Sequence, residues 1–163
     1  MQCRIIIKLI VRLKFNSMRL LFLLLSIVFF SSSCKKDDST EISSVPEIEM
    51  VSVAPTQPQE YSDSIVFTIH YKDGDGDLGE NDPDVKNLFL TDNRIGITHQ
   101  YRIQQLAPSG SSIAIEGNLN VVLNNLVITD SSSTQNANFS IYVVDRAGNK
   151  SNTVTSSTIT IHS

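Results

Sequence analysis

The sequence predicts an all-β fold, an antiparallel β-sandwich of seven or eight strands that occupies residues 47–163. Three observations indicate this fold. Apolar and polar residues alternate in residues 64–72 and again in residues 138–144, as expected for strands with one buried face. Glycine and proline punctuate the segments between the apolar stretches, where they favour turns. After position 33, no window of ten or more residues shows a convincing helical period.

The predicted strands follow one another at short intervals along the chain. In the first clear strand, the residues expected to face the core are Ile65, Phe67, Ile69 and Tyr71. In the strand near the C-terminus, they are Phe139, Ile141 and Val143. The predicted strand ranges are 47–54, 64–72, 86–91, 99–106, 111–117, 119–128, 138–145 and 153–162.

Residues 141–161 carry a family resemblance. The segment 143–151 reads Val-Val-Asp-Arg-Ala-Gly-Asn-Lys-Ser, which is similar to the turn between the last two strands of bacterial immunoglobulin-like and fibronectin III-like modules. We expect Asp145 to accept hydrogen bonds from N–H groups of this turn, and Gly148 and Asn149 to adopt positive φ. The resemblance implies an immunoglobulin-like sandwich and carries no statement about activity.

Residues 1–33 predict where the protein is sent. A basic start is followed by an apolar run at residues 20–30 and three serines, and then by Cys34. This pattern resembles a bacterial lipoprotein signal, which implies cleavage before Cys34 and lipidation of that cysteine. The serine-rich residues before Cys34 are similar to those of Bacteroidota surface lipoproteins, and residues 1–17 are interpreted as an extension from a misplaced start codon.

An uncleaved membrane anchor is the alternative interpretation of the same region. The apolar run at residues 20–30 supplies eleven positions, whereas about 20 are needed to span a bilayer. Residues 34–46 are polar and serine-rich, which favours a flexible tether over a loop of the domain. Residues 35–38 resemble the charged signal that sends some lipoproteins to the cell surface. We therefore expect attachment to the outer membrane through a lipid, and the sequence leaves open which face of that membrane carries the protein.

Charge and cysteine usage narrow the classes of partner. Cleavage before Cys34 leaves eight basic and 17 acidic residues, a formal charge of −9. This balance disfavours nucleic acid and favours cations or basic partners. The chain contains only Cys3 and Cys34, so the mature protein has no internal disulfide and depends on its core for stability.

Residues 73–84 form an acidic, glycine-rich loop directly after a predicted strand. They contain six acidic residues, three glycines and no lysine or arginine. Carboxylates at alternate positions, separated by glycine, can turn inward around a hard cation such as calcium, which takes six to eight oxygen ligands. The predicted metal ligands are Asp73, Asp75, Asp77, Asp82 and Asp84.

The loop resembles an EF-hand calcium loop in its first three aspartates and departs from it elsewhere. Leu78 stands where the EF-hand has glycine, and Asp84 stands where it has a bidentate glutamate. The sequence also predicts strands, not the helices that flank an EF-hand loop, on either side of these residues. Two interpretations stay open: a calcium loop on a β scaffold, or a solvated acidic turn whose charges aid solubility.

The sequence offers no arrangement of catalytic residues, so we expect a protein that is not an enzyme. It has no Gly-x-Ser-x-Gly motif, and its three histidines are scattered; His70 lies on the strand face opposite Phe67. We expect a lipid-anchored cell-envelope module with a binding or structural role, whose partner would be a protein or a glycan. The alternative is a scaffold component of an envelope transport or secretion complex without an external ligand.

Overall fold

The structure, a computed structural model, describes residues 42–163. The predicted signal peptide, Cys34 and residues 34–41 of the predicted tether lie outside the described residues. Within the described part of the chain there are nine strands and no helix, and hence no helix long and apolar enough to cross a membrane. The prediction of an all-β fold is confirmed.

The strands are antiparallel to their partners and fall into three hydrogen-bonded groups. One sheet has the order β1-β2-β5, a second has the order β4-β3-β7-β8, and β6 pairs with β9. The strands are β1 (Glu47–Ala54), β2 (Ile65–Asp73), β3 (Leu88–Asp92), β4 (Ile97–Tyr101), β5 (Ile115–Leu123), β6 (Thr134–Ala137), β7 (Phe139–Val143), β8 (Val154–Thr155) and β9 (Ile159–His162).

The core lies between the two larger sheets, where their apolar faces meet. Phe67 of β2 and Phe139 of β7 pack edge to face with their ring centroids 5.2 Å apart. An aromatic pair of this geometry contributes about 0.5–1.5 kcal/mol beyond its buried area. All of the residues predicted to face the core from these two strands are buried: Ile65, Phe67, Ile69, Tyr71, Phe139, Ile141 and Val143.

Three differences from the prediction change the set of strands, and the predicted strand 99–106 is observed as the shorter β4, Ile97–Tyr101. The predicted strands 111–117 and 119–128 are one strand, β5, which continues through Gly117 because the Tyr71 ring packs over that glycine. A Cβ at Gly117 would lie 3.0 Å from the Tyr71 hydroxyl oxygen. The predicted strand 153–162 is divided into two strands. Its first part, β8, pairs with β7 and ends at Thr155, and its second part, β9, begins at Ile159 and pairs with β6. The sequence analysis missed β6.

The start of β1 and the ends of β2 and β7 lie together at one end of the sandwich. Glu47 pairs with Lys72, and the N–H of Val144 donates to the Asn87 carbonyl 2.9 Å away. The side-chain amide of Asn152, just before β8, both accepts from and donates to the backbone of Ile48 at 2.8 Å. We call this the acidic end, because the loop from Asp73 to Asp84 crosses between the two sheets here.

Candidate metal centre

Three aspartates of the acidic loop converge at the end of β2. Asp73, Asp75 and Asp77 each place one carboxylate oxygen within 4.8 Å of the others. Asp73 is the last residue of β2 and continues the inward-facing series of that strand after Tyr71. The strand period therefore directs its side chain toward the interior, and Asp73 is fully buried.

The glycines between these aspartates allow the loop to pack against neighbouring backbone. Gly76 has a φ of +72°, which L-residues with a side chain rarely adopt. A Cβ at this position would lie 2.3 Å from the Ile113 carbonyl oxygen. Gly76 and Gly79 are buried, and Leu78 is fully buried in the core. Asp73, Gly76, Leu78 and Gly79 are thus buried, whereas Gly74, Asp75 and Asp77 are partly exposed.

Each of the three carboxylates has one buried oxygen that has no hydrogen-bond partner among residues 42–163. Asp73 Oδ2 accepts from the Leu78 N–H at 2.8 Å, and Asp77 Oδ2 accepts from the Ala147 N–H at 3.0 Å. The Oδ1 atoms of Asp73, Asp75 and Asp77 are buried and accept no hydrogen bond. A buried polar group left unpaired costs about 1–3 kcal/mol, and more when it is charged.

The acidity of these groups reflects this environment. The pKa of Asp73 is raised to about 6, chiefly by burial; the Leu78 N–H acts against this shift, and the neighbouring Asp75 and Asp77 carboxylates contribute to it. Burial also raises the pKa of Asp77, with repulsion from Asp145 and Asp75 as the next causes. The cluster is therefore a place where added positive charge, from a proton or a metal ion, lowers the free energy of the folded state.

The turn between β7 and β8 brings a basic residue to the loop. The Arg146 guanidinium donates to the Gly79 carbonyl at 2.8 Å and to the Gly76 carbonyl at 3.5 Å. It bonds to backbone oxygens, and its charge lowers the pKa of Asp77 without compensating for burial. Sequence analysis missed this neighbour because Arg146 lies far from the loop along the chain, and only the tertiary fold brings the two together.

The β7–β8 turn itself has the predicted geometry at two of its three residues. Asp145 Oδ1 accepts from the Asn149 N–H at 2.7 Å, and Oδ2 accepts from the Asn149 side-chain amide at 2.9 Å. Gly148 has a φ of +87°, as predicted, whereas Asn149 does not adopt positive φ. The expectation for Asn149 was wrong; its amide groups instead hold the Asp145 carboxylate.

The structure does not bring Asp82 and Asp84 into the cluster. Both residues are exposed, and Asp82 Oδ1 accepts from the Asp84 N–H at 2.9 Å in a local turn. The predicted set of five ligands therefore separates into three that converge and two that face solvent.

The converged oxygens suit a hard cation. Calcium binds oxygen at about 2.3–2.6 Å, so two ligand atoms on opposite sides of one ion lie up to about 5 Å apart. The separations in the cluster, within 4.8 Å, meet this requirement. The EF-hand resemblance does not extend to the fold, because the loop joins two strands, β2 and β3.

His70 and Tyr142 lie on outer sheet faces. His70 Nδ1 is 2.9 Å from the Asn118 side-chain oxygen on the neighbouring strand β5. Tyr142 stacks on Phe89 with ring centroids 4.7 Å apart, and the Lys150 ammonium lies 3.7 Å from the Tyr142 ring centroid. Lys150 thus covers one face of the ring that an exposed sugar would need for stacking.

No protein-family profile matches the chain, and no curated protein sequence is significantly similar to it. Any statement about its function therefore depends on the residues themselves.

Proposed function

We propose that this chain is a lipid-anchored cell-envelope module, attached through Cys34, whose immunoglobulin-like sandwich is stabilised by calcium held by Asp73, Asp75 and Asp77. The observation that carries the calcium site is the set of three converging carboxylates, whose Oδ1 atoms are buried and accept no hydrogen bond from any residue in 42–163. The module serves a binding or structural role at the outer membrane, with a protein or a glycan as its partner.

The contacts of Arg146 support calcium, and not a basic side chain, as the positive charge that compensates the three aspartates. Arg146 is the basic group that causes a shift in the pKa of Asp77, yet its hydrogen bonds go to the carbonyls of Gly76 and Gly79. The three Oδ1 atoms are left for another cation. Calcium tolerates irregular coordination and carboxylate ligands, whereas magnesium requires near-ideal octahedral geometry.

The immunoglobulin-like assignment is supported by the strand order. A sheet with the order β1-β2-β5 packs against one with the order β4-β3-β7-β8, and the connection from β2 to β3 crosses between the sheets. This arrangement is typical of immunoglobulin-like sandwiches, in which the loops cluster at the two ends. The candidate site occupies one of these interstrand loops.

The calcium site is tested by thermal unfolding of the full-length protein in detergent, in EDTA and in 10 mM calcium at matched ionic strength. A dissociation constant of about 0.1 mM, typical of extracellular calcium modules, makes 10 mM calcium a hundredfold excess that stabilises the fold by about 2.7 kcal/mol. The melting temperature of the wild type should rise by several degrees, and that of Asp75→Asn/Asp77→Asn should not. Equal wild-type melting temperatures in the two buffers would show that the site binds no calcium.

The anchor is tested separately, by metabolic labelling with palmitate. The wild type should incorporate label and partition into the detergent phase, and Cys34→Ala should do neither, because it lacks the thiol that carries an acyl group and stable attachment requires more than one acyl chain. Absence of label on the wild type would contradict the lipoprotein assignment. Protease treatment of intact cells then distinguishes the two faces of the outer membrane, since only a surface-displayed domain is degraded.

A further inference from the structure

Before entering β1, the chain packs against Gly74 of the loop that carries the candidate metal site. We call residues 42–46, which precede β1, the approach segment. The Gly74 N–H donates to the Ser43 carbonyl at 2.8 Å. A Cβ on Gly74 would lie 2.1 Å from the Ile42 carbonyl oxygen, so the two backbones are in direct contact. Pro46 at the end of this segment is buried.

This contact is one residue away from a predicted ligand. Gly74 follows Asp73, whose side chain is fully buried and whose Oδ1 is one of the three unpartnered oxygens. The backbone that positions the Asp73 carboxylate therefore also positions the N–H that holds Ser43. A change in the loop around Asp73 changes this hydrogen bond as well.

The loop is held on its other side by the β7–β8 turn. Asp77 Oδ2 accepts from the Ala147 N–H, and the Asp77 carbonyl accepts from the Arg146 N–H at 3.3 Å. The loop that carries the three aspartates is thus bonded to the approach segment through Gly74 and to the β7–β8 turn through Asp77.

We propose that calcium acts as a latch that seats the approach segment on the acidic end, so that occupancy of the site decides whether residues 42–46 are held against the domain or released. This inference rests on the calcium site proposed above. Without the ion, the three buried carboxylates repel one another and the loop opens locally. With the ion bound, the loop adopts the conformation in which the Gly74 N–H donates to the Ser43 carbonyl. Release of five residues adds up to about 17 Å of reach, at about 3.3–3.6 Å per extended residue.

The latch is measured by hydrogen exchange at the Gly74 amide in the full-length protein in detergent, with and without 10 mM calcium. Calcium should slow exchange at Gly74 on the order of tenfold, a typical coupling between two sites. The Gly96 amide, which donates to the Asp92 carbonyl at 2.8 Å at the opposite end of the sandwich, is the internal control and should not change.

Gly74→Ala disrupts the contact with the approach segment while keeping all three carboxylates. The added methyl group displaces the Ile42 backbone, so the residue 74 amide should exchange rapidly in both buffers. Coupling is reciprocal, so the calcium affinity of this variant should fall by the same factor, on the order of tenfold. Ser44→Ala, a change at an exposed position of the approach segment, should behave as the wild type.

Calcium affinity is measured in parallel by isothermal titration, which distinguishes two kinds of failure. If the wild type binds calcium and Gly74 exchange does not respond, the latch is wrong and the site stands. If the wild type shows no binding at 10 mM calcium, the proposed site is wrong and the latch falls with it.

Discussion

Phe67 and Asp73 lie on the same face of the same strand, and both are fully buried. Around Phe67, the facing sheet supplies Phe139 and the site is filled by apolar side chains. Around Asp73, the loop supplies two more carboxylates, and a buried oxygen is left without a partner. The strand period decides which residues are buried, and the chemistry of each residue decides whether its burial stabilises the protein by itself or only with a bound cation.

The largest effect is expected in the apolar region. Phe67→Ala should destabilise the domain by about 3–5 kcal/mol, because it removes a buried ring and leaves a cavity between the sheets. The loss should be the same in EDTA and in calcium, since the ring is not part of the acidic end. Chemical denaturation in both buffers measures it, with Val51→Ala, at a 54% exposed position of β1, as the control. A loss that appears in only one buffer would remove the distinction between the two regions.

At Asp73, substitution is expected to stabilise the protein without calcium and to destabilise it with calcium. In EDTA at pH 7.5, Asp73→Asn should be more stable than the wild type by about 1–2 kcal/mol, because a neutral amide replaces a buried charge and its oxygen can still accept from Leu78. In calcium the order should reverse, because a ligand is lost.

Denaturation curves in the two buffers test this, with the exposed Asp84→Asn as the matched control, for which no reversal is expected. If Asp73→Asn is less stable than the wild type in both buffers, burial of the Asp73 charge does not destabilise the metal-free protein.

The stability of the metal-free protein should also depend on pH. The pKa of Asp73 in the folded state is about 6, above the value of about 3.9 in an unfolded chain. The stabilisation from its protonated form is therefore complete below about pH 4 and is lost as the pH rises through about 6, a decrease on the order of 2 kcal/mol. The raised pKa of Asp77 acts in the same direction.

Melting temperatures in EDTA from pH 4 to pH 8 measure this decrease, which should be smaller in Asp73→Asn. Saturating calcium should remove it in the wild type at neutral pH, since the ion replaces the proton. A metal-free protein whose stability rises steadily over this range would contradict the burial of an ionisable Asp73.

The sequence was sufficient to predict the fold class and the inward faces of β2 and β7, because alternation is a local signal. The same alternation, extended by two residues beyond Tyr71, places Asp73 inside, although the sequence analysis treated all acids of the loop alike. Strand β6 carried no such signal, since Ala137 is its one buried residue.

The surroundings of the candidate site could not be predicted in the same way. Arg146 and the Ile42–Ser43 backbone contact the loop only because β1, β2 and β7 meet at one end of the sandwich. These contacts join segments far apart in sequence, and neither composition nor spacing within the loop indicates them.

The smallest effect is expected for Asp82 and Asp84, which the sequence grouped with the other ligands. Both side chains are exposed, and Asp82 Oδ1 accepts from the Asp84 N–H within one local turn. The double variant Asp82→Asn/Asp84→Asn should therefore change the free energy of unfolding by less than about 0.5 kcal/mol. Their charges attract a cation only through solvent and salt, which screens interactions beyond about 8–10 Å. Calcium affinity by isothermal titration at 0.15 M salt should therefore change by about twofold at most. A loss of tenfold or more would show that the exposed half of the loop folds over the ion and completes its coordination, as the spacing of the acids in the sequence first suggested.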